Sequence, residues 1–177
     1  ELTKAGLDRI FGWIWRASTR LINCAIGSLK NILSGLGVEV TKEELVKKAF
    51  LVDVLTGVIT PKLATGDLML SMYSMAKAAE TKGVTLYGAN VTVDQLRAIT
   101  QPVIAHVGGD HYIIVTSVDT TNVNYIEPYA QPGEENQSIT IEEFLRIWDG
   151  NILTPIVPAG ATALDVETMK GIRGADI

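Results

Sequence analysis

The hydrophobic period changes once along this chain, and that change limits its fold more than any other feature. Before about residue 100, apolar residues recur at three- and four-residue spacing, as they do on one face of a helix. Residues 24–36 place Ile26, Leu29, Ile32 and Leu33 on one stripe, with Gly35 or Gly37 as the stop. Thr41 opens TKEELVKKAF, and Glu44 three residues on predicts a capping box. Residues 51–66 read as an irregular loop. Asp67 is the expected cap of a further helix, LMLSMYSMAKAAETKG, closed by Gly83, whose Met69, Met72 and Met75 read as core filler. From Gln101 the period is two: PVIAHV, HYIIVTSV and NVNYIEP, separated by Gly108-Gly109-Asp110 and Asp119-Thr120-Thr121-Asn122. That pattern is an antiparallel meander. A last helix is expected in IEEFLRIWDG, and NILTPIV reads as an edge strand. Helices first and strands second predict a segregated α+β domain, with N-terminal helices packed on a C-terminal antiparallel sheet.

Residues 1–21 form an expected N-terminal arm, amphipathic over 1–16 and rich in tryptophan at Trp13 and Trp15. It reads either as an arm packed on the core or as a contact for a partner or membrane surface. Residues 22–157 hold the domain, and the Ala- and Gly-rich stretch 158–177 reads as a tail or linker. The chain starts at Glu1 without a methionine, so a piece of a longer protein is expected.

Composition excludes some functions. The 177 residues carry a net charge of −5 and show no basic stripe, so nucleic acid is not an expected partner. One cysteine and two histidines, widely separated, lack metal-ligand spacing. Neither GVEVTKEEL nor VGGDH has the strand–glycine–helix context of a phosphate loop. No metal and no cofactor are expected.

The single cysteine, Cys24, sits where a helix begins, followed by the small residues Ala25 and Gly27. A helix N-terminus favours the thiolate, which is the nucleophilic form. The alternative is a small buried hydrophobe. His111 opens a strand after a tight turn, a place from which a general base can reach a cleft. His106 competes with it, although alternation puts His106 opposite Val103, Ala105 and Val107. Glu127 follows His111 by sixteen residues and could orient its ring. Register supplies a test. The two side chains share a face only if paired residue numbers sum to an even value. A three-residue loop, Thr120-Thr121-Asn122 with Asn122 left-handed, pairs Asp119 with Val123 and meets that condition.

Taken in order, NCAIGSLKNILSGLGV, HYIIVTSV, NYIEP and ITIEEFLRIWDGNIL resemble the motifs of the C39 family of cysteine peptidases over about residues 22–156. The resemblance implies a papain-like fold and a Cys24–His111–Glu127 triad acting on a peptide or protein substrate. In the best-known branch the domain is fused to an exporter and removes leader peptides after a Gly-Gly pair. Other branches are free-standing or attached to surface proteins, which leaves the location open and is compatible with a cell-surface or membrane-associated fragment of a larger protein. Three positions depart from the family pattern. Ala25 stands where Gly is usual, and Glu127 stands where Asp is usual. Ser18 stands where the family has an oxyanion-hole Gln, leaving Ser18 and Asn23 as candidate side-chain donors beside the Cys24 backbone N–H. Three readings follow: a cysteine peptidase, a C39-like module that holds a peptide without cutting it, and a structural domain.

Overall fold

A computed structural model describes residues 23–58, 70–128 and 130–174. The expected N-terminal arm, Ser18 and Asp67 lie outside these residues. Three helices come first: α1 (Asn23–Gly35), α2 (Lys42–Leu55) and α3 (Met72–Glu80). Thr41 caps α2 with the expected box, its side chain accepting from the Glu44 N–H at 3.1 Å while the Glu44 carboxylate accepts from the Thr41 N–H at 3.1 Å. α2 runs through to Leu55, five residues into the stretch read as loop. A two-residue strand β1 (Leu70–Ser71) precedes α3, and Ser71 caps α3 by accepting from the Ser74 N–H. Gly83, with φ of +78°, ends that segment in the left-handed region a glycine tolerates.

The remaining elements are β2 (Tyr87–Asn90), α4 (Val93–Ala98), β3 (Val103–Val107), β4 (His111–Val118), β5 (Asn122–Ile126), β6 (Asn136–Thr140), α5 (Ile141–Ile147), β7 (Trp148–Thr154), β8 (Thr162–Ala163), α6 (Val166–Gly171) and β9 (Arg173–Gly174). Seven strands form one antiparallel sheet in the order β6-β5-β4-β3-β7-β2-β8. The segment read as an edge strand, NILTPIV, therefore supplies an interior strand. β7 lies between β3 and β2, which is why Ile152 and Leu153 are fully buried.

Both faces of the sheet are covered. Ile104, Tyr112, Ile114 and Leu153 enter a core with α1, α2 and α3. Ala105, Ile113, Val115 and Ile152 enter a second core with Leu96 of α4 and Phe144 of α5. Alternate residues of β3 and β4 thus feed different cores, and the short apolar runs VIAHV and YIIV follow from that double burial.

Two expectations give way here. The stretch from residue 158 is not a loose tail: β8 pairs with β2, β9 pairs with β1, and Met169 and Ile172 are buried in the first core. The three-residue loop is also absent. Val118 pairs with Val123, leaving the four residues Asp119 to Asn122 between them. The Asp119 carboxylate accepts from the N–H groups of Thr121 and Asn122 at 2.8 and 2.6 Å, which stabilises the four-residue turn. No described residue other than glycine has a positive φ, so Asn122 is not left-handed. The even register is reached by another route. A β-bulge adds Thr116 to β4, so Ser117 pairs with Asn124 but Val115 pairs with Tyr125. The pairing sum changes from odd to even before the strand reaches His111.

Candidate active site at one end of the sheet

β4 begins with His111, and β5 ends one residue before Glu127. Because the strands are antiparallel, the start of one lies beside the end of the other. The restored register brings the two side chains together. His111 Nε2 lies 3.0 Å from both carboxylate oxygens of Glu127. An ionised carboxylate only accepts, so the Nε2–H donates and Nδ1 is the ring atom able to take a proton. Both side chains are about a fifth exposed, sheltered yet reachable. The Glu127 backbone is held in turn, its N–H donating to the Glu135 carbonyl at 2.8 Å. Burial and the negative charge of Glu127 raise the Tyr125 phenol above its usual pKa.

Asn23 and Cys24 are the first two described residues of α1. Gly27, one turn on, lies against the segment after Glu127: a Cβ placed at Gly27 would stand 3.2 Å from the Pro128 Cβ. Helix residues three apart share a face. The first turn of α1 and the His111–Glu127 pair therefore occupy the same end of the sheet. Ser18 lies outside the described residues.

His106 is engaged elsewhere. It is 4% exposed, with Nδ1 2.6 Å from the Asp149 carboxylate and Nε2 2.7 Å from the Arg173 carbonyl. Sequence reasoning missed Asp149 as its partner, although alternation had already separated His106 from its strand neighbours. A second unforeseen cluster is Asp53, fully buried on α2. Its carboxylate accepts from the Ser71 N–H, the Ser71 hydroxyl and the Ser74 hydroxyl. Burial pushes the Asp53 carboxyl up, against the pull of those three bonds. Among the described residues no group of three His, Cys, Asp or Glu side chains is placed to hold a metal ion, and no helix is long and apolar enough to cross a membrane.

Comparison with known proteins fits this geometry. Two relatives, uncharacterized proteins of Methanothermobacter thermautotrophicus and Methanothermobacter marburgensis, are each 27% identical to the chain. The matches span 76% and 74% of this chain, and 82% and 80% of those proteins. Among solved structures, the peptidase domain of Streptococcus ComA, described as a bifunctional ABC transporter of a quorum-sensing pathway, superposes with a TM-score of 0.59 at 18% identity, over 78% of this chain and 94% of that one. A double glycine motif protease from an AMS/PCAT transporter, solved in complex with its leader peptide, superposes with a TM-score of 0.58 at 17% identity, over 80% and 85%. These likenesses show the papain-like fold. The profile of the Peptidase C39 family matches residues 58–158, a stretch that holds His111 and Glu127 and begins after Cys24. With more than half of its length matched in this way, the chain belongs to the Peptidase C39 family.

Proposed function

We propose that this protein is a cysteine peptidase in which Cys24, His111 and Glu127 act as a triad on an extended peptide. The observation that carries the reading is the His111–Glu127 bond, which joins the tips of two strands beside the first turn of α1. Glu127 holds the ring with Nε2–H outward, so Nδ1 takes the Cys24 thiol proton. The thiolate attacks the scissile carbonyl carbon, and the resulting oxyanion is met by the Cys24 backbone N–H, with Ser18 or Asn23 as the side-chain donor. Collapse expels the amine, which carries away the proton from Nδ1. Water, deprotonated at the same nitrogen, then hydrolyses the thioester. The negative charge of Glu127 stabilises the imidazolium present between these steps.

Because the chain has one cysteine, alkylation reports on that residue alone. The wild type is expected to react with iodoacetamide well below pH 8.5, the ordinary thiol pKa being about 8.5, and His111→Ala is expected to lose that acid limb. Identical profiles near the free-thiol value would overturn the triad. The replacement of the family's Gln by Ser18 favours a second reading, a domain that holds a peptide without cutting it, since losing one oxyanion donor costs about 10²–10³ in rate. A Cys24 of ordinary reactivity together with leader-type peptides that bind but are not cleaved would decide for that reading.

A further inference from the structure

Gly27 occupies an unusual place for a glycine. It lies inside a thirteen-residue helix with no positive φ, so no backbone conformation demands it there. Glycine weakens a helix interior relative to alanine. What the position lacks is room: the Cβ of an alanine would stand 3.2 Å from the Pro128 Cβ, closer than ordinary van der Waals contact. Pro128 is covalently next to Glu127, and Glu127 holds His111. Gly27 is one helical turn after Cys24, on the same face. A rigid proline ring, whose φ is fixed, thus abuts the helix that carries the cysteine at the point where the acid strand ends. Neighbours on either side leave little slack, because Ala25, Ile26 and Ser28 are all fully buried.

We infer that Gly27 and Pro128 are a positioning pair that sets the spacing between Cys24 on α1 and the His111–Glu127 pair on the sheet. This rests on the triad reading above. In this pairing Gly27 lets α1 close onto the sheet end, and Pro128 is the stop it closes against. A methyl group at residue 27 forces α1 and the acid strand apart by a few tenths of an ångström. On the triad reading, a shift that small leaves the core intact but moves the Cys24 backbone away from His111, and proton sharing between the two is sensitive to such a change.

The test is a double-mutant cycle read by the pH dependence of Cys24 alkylation. Gly27→Ala, confirmed as folded by circular dichroism, is expected to lower the alkylation rate at pH 6 about tenfold, since a misplacement of 1 Å can cost about 10²-fold. The same change made on a Pro128→Gly background, where the opposing Cβ is gone, is expected to have no further effect beyond that of Pro128→Gly alone. If Gly27→Ala leaves the profile unchanged in wild-type background, or depresses it equally in both backgrounds, the pair does not set the spacing. The His111→Ala comparison separates the two conclusions. A wild type that differs from His111→Ala but not from Gly27→Ala retains the triad and loses the positioning pair. A wild type identical to His111→Ala removes both.

Discussion

At the scale of single residues, the contact that matters most is the one in which Glu127 meets one imidazole nitrogen with both oxygens at 3.0 Å. Its charge and its hydrogen-bond geometry are separable. Glu127→Gln keeps a side chain of the same length that can still accept from Nε2–H, but it removes the charge that stabilises the imidazolium. In the proposed triad the thiolate–imidazolium form then gives way to the neutral pair, and alkylation of Cys24 at pH 6 is expected to fall about tenfold, equivalent to one pKa unit of lost stabilisation. Glu127→Asp retains the charge but withdraws it by one methylene, and an intermediate rate is expected. Equal rates in all three proteins would show that Glu127 acts only as a structural partner. Cys24, His111 and Glu127 stand out as candidates in the sequence because chemistry-bearing residues are rare in this chain and fall in a meaningful order, and of these the structure brings His111 and Glu127 together. Gly27 and Pro128 do not stand out, since a glycine chosen for room looks in sequence like any other glycine.

At the scale of elements, β4 and β5 show how the right register arose by a route the sequence did not disclose. A shared face for His111 and Glu127 requires an even pairing sum near His111, and a three-residue loop is the simplest device to deliver it. Two local preferences conflict instead. Asp119 closes a four-residue turn, which imposes an odd sum. The apolar residues demand an even one, with Val115 and Tyr125 on the second core and Ile114 and Ile126 on the first. Thr116 reconciles them as the extra residue, its hydroxyl donating to the Asn124 carbonyl at 3.1 Å. Bulges follow from competition between turn and core, which no single stretch of sequence encodes. Because the core fixes the register, Thr116→Val is expected to lose one hydrogen bond, lowering stability by about 1 kcal/mol in urea titration. The alkylation profile of Cys24 should be unchanged. A shifted profile would mean that the bulge, rather than the core, aligns His111 with Glu127. The edge assignment of NILTPIV failed for a related reason: strand order depends on pairings between segments distant in sequence, while periodicity reports only burial.

At the scale of the whole molecule, the C-terminal segment is a strap, and a buried histidine fastens it. β9 pairs with β1, the Tyr112 hydroxyl donates to the carbonyls of Leu70 and Ile172, and a side chain at Gly174 would run into the Tyr112 ring. Tyr112 adjoins His111, so the strap braces the strand that carries the proposed base. Ala and Gly content suggested looseness from residue 158, but Met169 and Ile172 were enough to anchor the segment, a small apolar signal inside a polar background. The His106 ring lies between β3, β7 and β9 with an acceptor at each nitrogen, the Asp149 carboxylate and the Arg173 carbonyl. Two acceptors call for two N–H donors, which is the imidazolium. Burial pushes the His106 pKa down, but the bonds to Asp149 and Arg173 and the nearby charge of Asp110 outweigh it and hold the pKa above the usual histidine value. Burial pushes the Asp149 carboxyl up, but its bond to His106 wins and the pKa is lowered, as an ion pair requires. A pKa raised in the folded state gives stability that is full below the unfolded value, about 6.5, and is lost as pH rises through the folded value. The melting temperature is therefore expected to fall as pH rises above neutrality, and amide exchange at residues 166–174 to accelerate first. His106→Gln, which is neutral at every pH, should abolish that slope and start from a lower melting temperature. Tyr112 also faces the ring, with 5.3 Å between the two ring centroids. If the wild type and His106→Gln lose stability in parallel above neutrality, the strap is held by its apolar contacts and the imidazolium contributes nothing to it.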